Sequence, residues 1–474
     1  MKLRAYGGEK MAKKNTLDMT QGPIVKKLFA FAVPLILSLV LQQLYNLADR
    51  VVVGQYAGGN KGALALAAIG ATSSITALLL NMSNGLASGL NVRCANLRGA
   101  GKLKTLRKSM HTGVLLAATI GVALGVIGIL VSDPLLHALK TPPEIQEKAT
   151  RYMQIYFASM PAVTIYNFGA AILRAHGDTK RPMYILMTSG LINVTLNLVM
   201  VLVFKWDVEG VALATAIAQA LSAFRVMRIL FDKNDAYKLT FKELSFHGKS
   251  VKVIVSIGIP NGLNGVLFSL SNLVVQSSIN SFNDTAIIAA KTAAADASNL
   301  VYQIIHGFAL ACVSASGQCY GARKYKRIDE LAFKATLSCG GLVAAAAAIM
   351  TLSPSAVIGI FNDSQDVINW GAGILLINLW GYLLYVVSDI YLSCTRGMGK
   401  SLGITLMNIA AIILPRLIWI WFFFPMHRNI YFLYICYPIS YLISAIAQIT
   451  YFRMVRKKVD RIAQMESGAD IAAV

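Results

Sequence analysis

From residue 28 onward the chain consists of long apolar runs separated by short polar stretches, the first opening LFAFAVPLILSLVL over residues 28–41. About 20 consecutive apolar residues are what a helix needs to cross a hydrocarbon layer of about 30 Å. The runs are continuous rather than spaced at amphipathic intervals. Only 14% of the 474 residues are charged, where a soluble domain would carry about 25%. The sequence therefore predicts an all-α integral membrane protein. Twelve transmembrane helices are expected, near residues 28–53, 62–92, 109–131, 147–172, 183–204, 209–230, 253–279, 286–314, 335–360, 368–394, 402–424 and 430–452.

A formal net charge of +22 raises the question of nucleic acid, and the distribution of the charge answers it. With the N-terminus inside, the segments assigned to the cytoplasm hold 35 of the 44 Lys and Arg residues. The outer loops and the span ends beside them hold only Lys61, Lys140, Lys148, Arg151, Lys205 and Arg428, and Arg50, Lys291 and Arg416 lie within or at the edge of spans. Basic residues gathered in the short loops of one side follow the positive-inside rule. The charge thus reports topology: both termini are expected in the cytoplasm, the partner is the lipid bilayer, and nucleic acid is excluded. A multi-pass protein of the plasma membrane is expected. The first apolar segment is too long for a signal-peptide core. The six cysteines carry no CxxC or Cys/His spacing, so neither disulfides nor a metal site is expected.

The chain also repeats itself at a spacing of about 220–226 residues. FAVPLILSLVLQQLYNLA parallels VSIGIPNGLNGVLFSLSNLV, pairing Pro34 with Pro260 and Asn46 with Asn272. NGLASGLNVRCANLRGAGK parallels HGFALACVSASGQCYGARK, and LRAHGDTKR parallels CTRGMGKS with Gly177 over Gly397 and Lys180 over Lys400. Each copy holds six spans, so both enter the membrane from the same side, which is a known transporter plan. The expected organisation is a cytoplasmic tail (1–27), an N-terminal lobe (28–230), a cytoplasmic linker (231–252), a C-terminal lobe (253–452) and a cytoplasmic tail (453–474).

Polar groups inside a bilayer are costly and mark function by default. Ser38, Gln42, Tyr45 and Asp49 follow one another by four, three and four residues, and so share a helix face beside Asn46. Asp49 is either a working carboxylate or the point where the helix leaves the membrane. Asp296 has Lys291 five residues before it, and Asp389 has Arg416 in the next span. Each acid is open to substrate contact or structural pairing. Asn193 and Asn197 form an amide pair on one face, suited to a cation, a carboxylate or plain interhelical bonding. Tyr45, Tyr166 and Phe168 offer aromatic faces to flat cations or serve as packing. Pro34 deletes a backbone hydrogen bond and gives the first span a place to bend.

PLILSLVLQQLYNLADRVVVGQY, LRAHGDTKRP and the NVTLN…GVALAT run together resemble the multidrug and toxic compound extrusion (MATE) transporters, nearest the DinF-like and MepA-like bacterial branch. The resemblance covers residues 18–455. It implies a secondary antiporter that expels small organic cations or amphipathic drugs in exchange for H⁺ or Na⁺, working as a monomer without cofactor. By resemblance Asp49 is the coupling carboxylate, Asn193 matches a first-lobe coupling asparagine, and Thr215 matches a threonine beside it. Asn197 stands where some members have an aspartate, and the position of a seventh-span glutamate falls near the apolar Phe268. Both departures favour H⁺ over Na⁺. Asp389 lies one turn from an acid of another branch and carries over only in part.

Protonation of Asp49 from outside is therefore expected to repack the first span and release substrate outward, as the lobes alternate in access. The other classes considered are a lipid-linked oligosaccharide flippase of the same superfamily and a major-facilitator carrier. The flippase would show fourteen spans. The carrier would show a Gly-x-x-x-Asp-Arg loop where this chain has RCANLRGAGKLKTLRK. The six histidines are scattered and no phosphate-binding loop is present, so an enzyme is not expected.

Overall fold

Each apolar run forms a helix, because backbone polar groups in lipid must find partners within their own segment. The computed structural model describes residues 16–56, 59–139, 141–232, 237 and 239–472, and the side chains of these except 46–56, 59–63, 65, 66, 74 and 466–472. The side chains of Asn46 and Asp49 thus lie outside the described residues. The helices are α1 (Ile24–Tyr56), α2 (Gly59–Gly99), α3 (Leu103–Ala138), α4 (Pro143–Ala158), α5 (Met160–Ala175), α6 (Lys180–Leu198), α7 (Val208–Leu230) and α8 (Gly248–Asn280). They continue as α9 (Thr285–Gly321), α10 (Tyr325–Leu352), α11 (Pro354–Gly359), α12 (Gln365–Gly397), α13 (Ser401–Asn408), α14 (Leu414–Ile418), α15 (Ile430–Tyr434) and α16 (Cys436–Ala472). No strand occurs among the described residues.

Ten spans among the described residues are long and apolar enough to cross a membrane, eleven when the bent pair α4–α5 counts as one. The expected span 62–92 falls within α2, a helix of 41 residues. The span expected at 147–172 is not one rod. It breaks at Ser159 with a bend of 45°, where Pro161 lacks the N–H for a bond to Phe157 and its ring crowds that carbonyl.

The chain divides into two compact units. The first comprises residues 1–18, 33–98 and 102–266, the second 19–32, 99–101 and 267–474. Both α1 and α8 change membership part-way along, α1 between Ala32 and Val33, just before Pro34.

In the first unit, Leu90, Met110, Phe168 and Leu173 are buried in one apolar cluster, and Met153, Phe157 and Val211 in another. Gly85 and Gly89 of α2 meet Gly258 and Gly262 of α8 backbone to backbone. A Cβ on Gly85 would stand 2.1 Å from the Gly262 nitrogen. Small residues four apart on both helices allow this approach, which suits lipid, where packing rather than the hydrophobic effect drives association. The segment leading into α8 is clasped to α3. Thr112 Oγ1 donates to Ser245 O (3.1 Å), Thr240 N donates to His111 Nε2 (3.1 Å), and Arg107 pairs with Glu243 at 2.9 Å.

The second unit is built on α9 against α12, with α12 against α16. Phe308 is fully buried there and meets Phe29 edge-on at 5.6 Å. The segment leading into α1 is clasped much as its counterpart is. Met19 N donates to Gln318 Oε1 at 3.0 Å, Arg327 donates to Met19 O at 2.8 Å, and Lys324 Nζ donates to Thr20 O at 3.0 Å.

The repeat is visible in backbone conformation. Gly101 and Arg323, 222 residues apart, both have positive φ (68° and 56°), as do Gly177 (76°) and Gly399 (80°). This corrects the pairing of Gly177 with Gly397. Gly397 is the last residue of α12, and the turn that follows is one residue shorter than its counterpart after α5, so the left-handed position falls to Gly399.

Candidate substrate and coupling cleft

Three helices of the first unit line an open cleft. Helix α1 contributes Gln42 and Tyr45, α6 contributes Leu186, Ser189, Gly190 and Asn193, and α7 contributes Thr215, Ala218, Gln219 and Ser222. Spacings of three and four residues keep each set on one face of its helix.

Tyr45 closes one side. Its hydroxyl donates to Met187 O at 3.1 Å. Its ring occupies the place where residue 190 would carry a side chain, since a Cβ there would stand 1.8 Å from Tyr45 Cε2. Only glycine at 190 lets the phenol lie against α6. Asn193 Nδ2 donates to Thr215 Oγ1 at 3.3 Å, joining α6 to α7 at the cleft wall. Asn193 is buried (6% exposed), and Asn197, one turn further, is fully buried. Beyond Asn197 the helix widens into a π-helical turn, Val199–Val203. On α1 the Ser38 hydroxyl donates to Pro34 O at 2.7 Å. Such back-bonding loosens a helix, here at the point where proline already removes one bond.

Among the described lining residues none is charged. The wall offers hydroxyl and amide groups, which accept from or donate to a polar solute, with the Tyr45 ring beside them. Sequence reasoning reached Gln42, Tyr45, Asn193 and Thr215, and the structure brings these four together. It missed Ser189, Gly190, Gln219 and Ser222. Thr215, Gln219 and Ser222 follow one another by four and three residues, a polar stripe on α7 that the sequence displays. Arg225, one turn past Ser222, donates to Thr188 Oγ1 and ties α7 to α6 below the cleft.

Other expected site residues lie elsewhere. Tyr166 is buried (6% exposed) in the core of the first unit, its hydroxyl 3.4 Å from Pro182 O, and does not line the cleft. Phe168 is fully buried in that core. In the second unit, Asp296 is part-exposed on α9, within electrostatic reach of Lys291. Asp389 on α12 is within electrostatic reach of Tyr302, Tyr385 and Arg396. The pairing of Asp389 with Arg416 is not made. Arg416 bonds Ser440 and Asn272 and is enclosed by aromatic rings.

The MatE family model matches this chain twice, over residues 34–199 and 260–421. The chain belongs to the MatE family. It is a multi-pass cell-membrane transporter, not an enzyme. The two matched segments begin 226 residues apart, at Pro34 and Pro260. This MatE protein is 26% identical over 413 residues to the probable multidrug resistance protein YoeA of Bacillus subtilis, covering 84% of this chain and 86% of that one. It is 24% identical over 409 residues to the multidrug export protein MepA of Staphylococcus aureus, covering 84% and 87%. A solved structure described as the outward-facing conformation of a multidrug resistance MATE family transporter superposes with a TM-score of 0.87 at 21% identity, over 95% of this chain and 100% of that chain. At that identity the likeness shows the fold.

Proposed function

We propose that this MatE protein is a proton-coupled multidrug efflux antiporter for organic cations and amphipathic drugs, with Asp49 as the coupling carboxylate. The cleft carries the reading. Its described wall is uncharged but rich in hydrogen-bonding groups, and Asp49 follows Tyr45 by four residues in the same helix. An ionised Asp49 would hold a cation beside the Tyr45 ring. A protonated one would lose that attraction, and the Asn193–Thr215 pair would remain as a neutral wall. Asn197 supplies an amide, not a second carboxylate, which favours one exchangeable proton over a Na⁺ cage. The names of YoeA and MepA, a probable multidrug resistance protein and a multidrug export protein, support the multidrug part of this reading. Twelve spans, termini on the basic side, lobes at 28–230 and 253–452, and a monomeric working unit belong to the same proposal.

Ethidium efflux from proteoliposomes, driven in turn by a pH gradient and by a Na⁺ gradient, tests it. Wild type is expected to respond to the pH gradient, and Asp49→Asn to lose gradient-driven efflux while staying folded. Unimpaired coupled efflux by Asp49→Asn would refute the coupling role, and a response to Na⁺ alone would refute the ion.

A further inference from the structure

The second unit contains a buried cation that the efflux mechanism does not use. Arg416 sits inside the span Ser401–Met426 and is 0% exposed, the largest fully buried side chain among the described residues. No carboxylate among the described residues lies within 4 Å of it. Its Nε donates to Ser440 Oγ at 3.1 Å and Nη1 to Asn272 Oδ1 at 3.4 Å. Nη2 is buried and has no acceptor at ordinary hydrogen-bond geometry among the described protein atoms, the Tyr441 side chain being the polar neighbour within interaction range of the guanidinium. Phe268, Tyr437 and Tyr441 surround the guanidinium, with ring centres 5.1, 4.5 and 5.3 Å from its carbon.

The helix is distorted on both sides of this residue. A π-helical turn, Ile409–Ile413, precedes it, another, Trp419–Phe423, follows, and Pro415 stands next to it. Such turns concentrate at functional sites. The second turn matches Val199–Val203 of the first copy at a spacing of 220 residues, the spacing of Lys180 and Lys400. At that spacing the counterpart of Arg416 is Leu196. The π-helical turn belongs to the common scaffold, whereas the cation belongs to one copy.

A guanidinium taken out of water without a counter-charge is among the most expensive arrangements a membrane protein can hold. Rings and neutral acceptors reduce that cost without cancelling the charge. What cancels it is an anionic group with two oxygens in one plane, the shape that matches the guanidinium fork. Phe268, Asn272 and Tyr437 are each part-exposed while Arg416 itself is 0% exposed, so a ligand would reach the cation only by displacing them.

We propose that Arg416 anchors a second substrate site, which takes the carboxylate of an aromatic organic anion, with the ring system of that anion against Phe268 and Tyr437. The site would let one transporter handle anionic or zwitterionic aromatics as well as cations. It rests on residues separate from the first-unit cleft, so the failure of either proposal leaves the other standing.

The test is equilibrium binding of carboxyfluorescein to the purified full-length protein in nanodiscs, followed by fluorescence anisotropy. Saturable binding displaced by benzoate but not by benzyl alcohol is expected. Arg416→Met should weaken it by about 100-fold or more, the size of effect that follows loss of one partner of a buried charge pair. Arg416→Lys, which keeps the charge without the fork, should fall between. Asn272→Asp places a carboxylate where Asn272 already meets Arg416, so it should raise the melting temperature and abolish anion binding, with ethidium binding unchanged. This variant covers the case in which Arg416→Met does not fold. Absence of saturable binding to wild type, or wild-type affinity in Asn272→Asp, would overturn the site. So would Arg416→Met losing stability while keeping anion affinity, which would make Arg416 a packing brace.

Discussion

Replacing Gly190 by alanine probes the cleft directly, because one atom decides the outcome. The added Cβ would stand 1.8 Å from Tyr45 Cε2, 2.2 Å from Cδ2 and 2.5 Å from Cζ, so a whole edge of the ring must move. Helix propensity alone would make the substitution favourable by about 1 kcal/mol. Against this stands the overpacking cost, typically 1–3 kcal/mol. Displacing the ring also breaks the Tyr45–Met187 hydrogen bond, which contributes roughly 0.5–1.5 kcal/mol. The net expectation is destabilisation of about 1–3 kcal/mol, with the phenol driven from α6 into the cleft. Thermal unfolding of purified Gly190→Ala, Tyr45→Ala and the double variant forms a cycle that isolates the clash. Tyr45→Ala should rescue most of the loss caused by Gly190→Ala, giving a coupling of about 1 kcal/mol or more. Ethidium affinity should fall in Gly190→Ala, because the ring then occupies the cleft. If the two substitutions are additive and ethidium affinity is unchanged, Tyr45 does not lie against α6 and the cleft as described is wrong.

Gly85→Leu should prevent the close approach of α2 and α8, since even its Cβ would meet the Gly262 backbone at 2.1 Å. Loss of folded protein in size-exclusion chromatography is expected, with no comparable loss for the exposed Leu130→Ala. His176, between α5 and α6, is held neutral: burial first, and Arg98 second, push its pKa down to about 3, while its Nδ1 bonds Ile172 O at 2.8 Å and its ring meets Tyr237 at 4.8 Å. The unfolded chain takes up this proton near pH 6.5 and the folded protein only near 3, so stability is complete above about 6.5 and falls by roughly 1 kcal/mol or more per unit between these limits. Melting temperatures measured across that range should show a shallower acid slope for His176→Gln than for wild type, and equal slopes would remove His176 as the cause.

The spans were legible because hydrocarbon admits so few solutions, and LFAFAVPLILSLVL has only one way to satisfy its backbone there. The cleft was partly legible for a related reason. A polar group inside an apolar run is conspicuous, so Gln42, Tyr45 and Asn193 stood out, while Thr215 was reached through the family resemblance; the structure brings the four to one place. Gly190 was hidden because its importance lies in what occupies the space beside it, which only the packing of α1 against α6 reveals. Tyr166 failed for the converse reason. An aromatic residue in a span reads the same whether it faces a cleft or a core, and here it is 6% exposed in the core.

Arg416 shows most plainly where sequence logic stops. Nearness of spans paired it with Asp389, on the assumption that a buried charge seeks the nearest opposite charge. The fold instead surrounds it with Phe268, Tyr437 and Tyr441, and the cation within electrostatic reach of Asp389 is Arg396. The two copies of the repeat have diverged at single charged positions: the first carries Asp49 where the second has Val275, and the second carries Arg416 where the first has Leu196. A duplicated scaffold that keeps its turns and its π-helical turn but carries Asp49 in one copy and Arg416 in the other would, under the two proposals above, offer a different ligand chemistry in each copy.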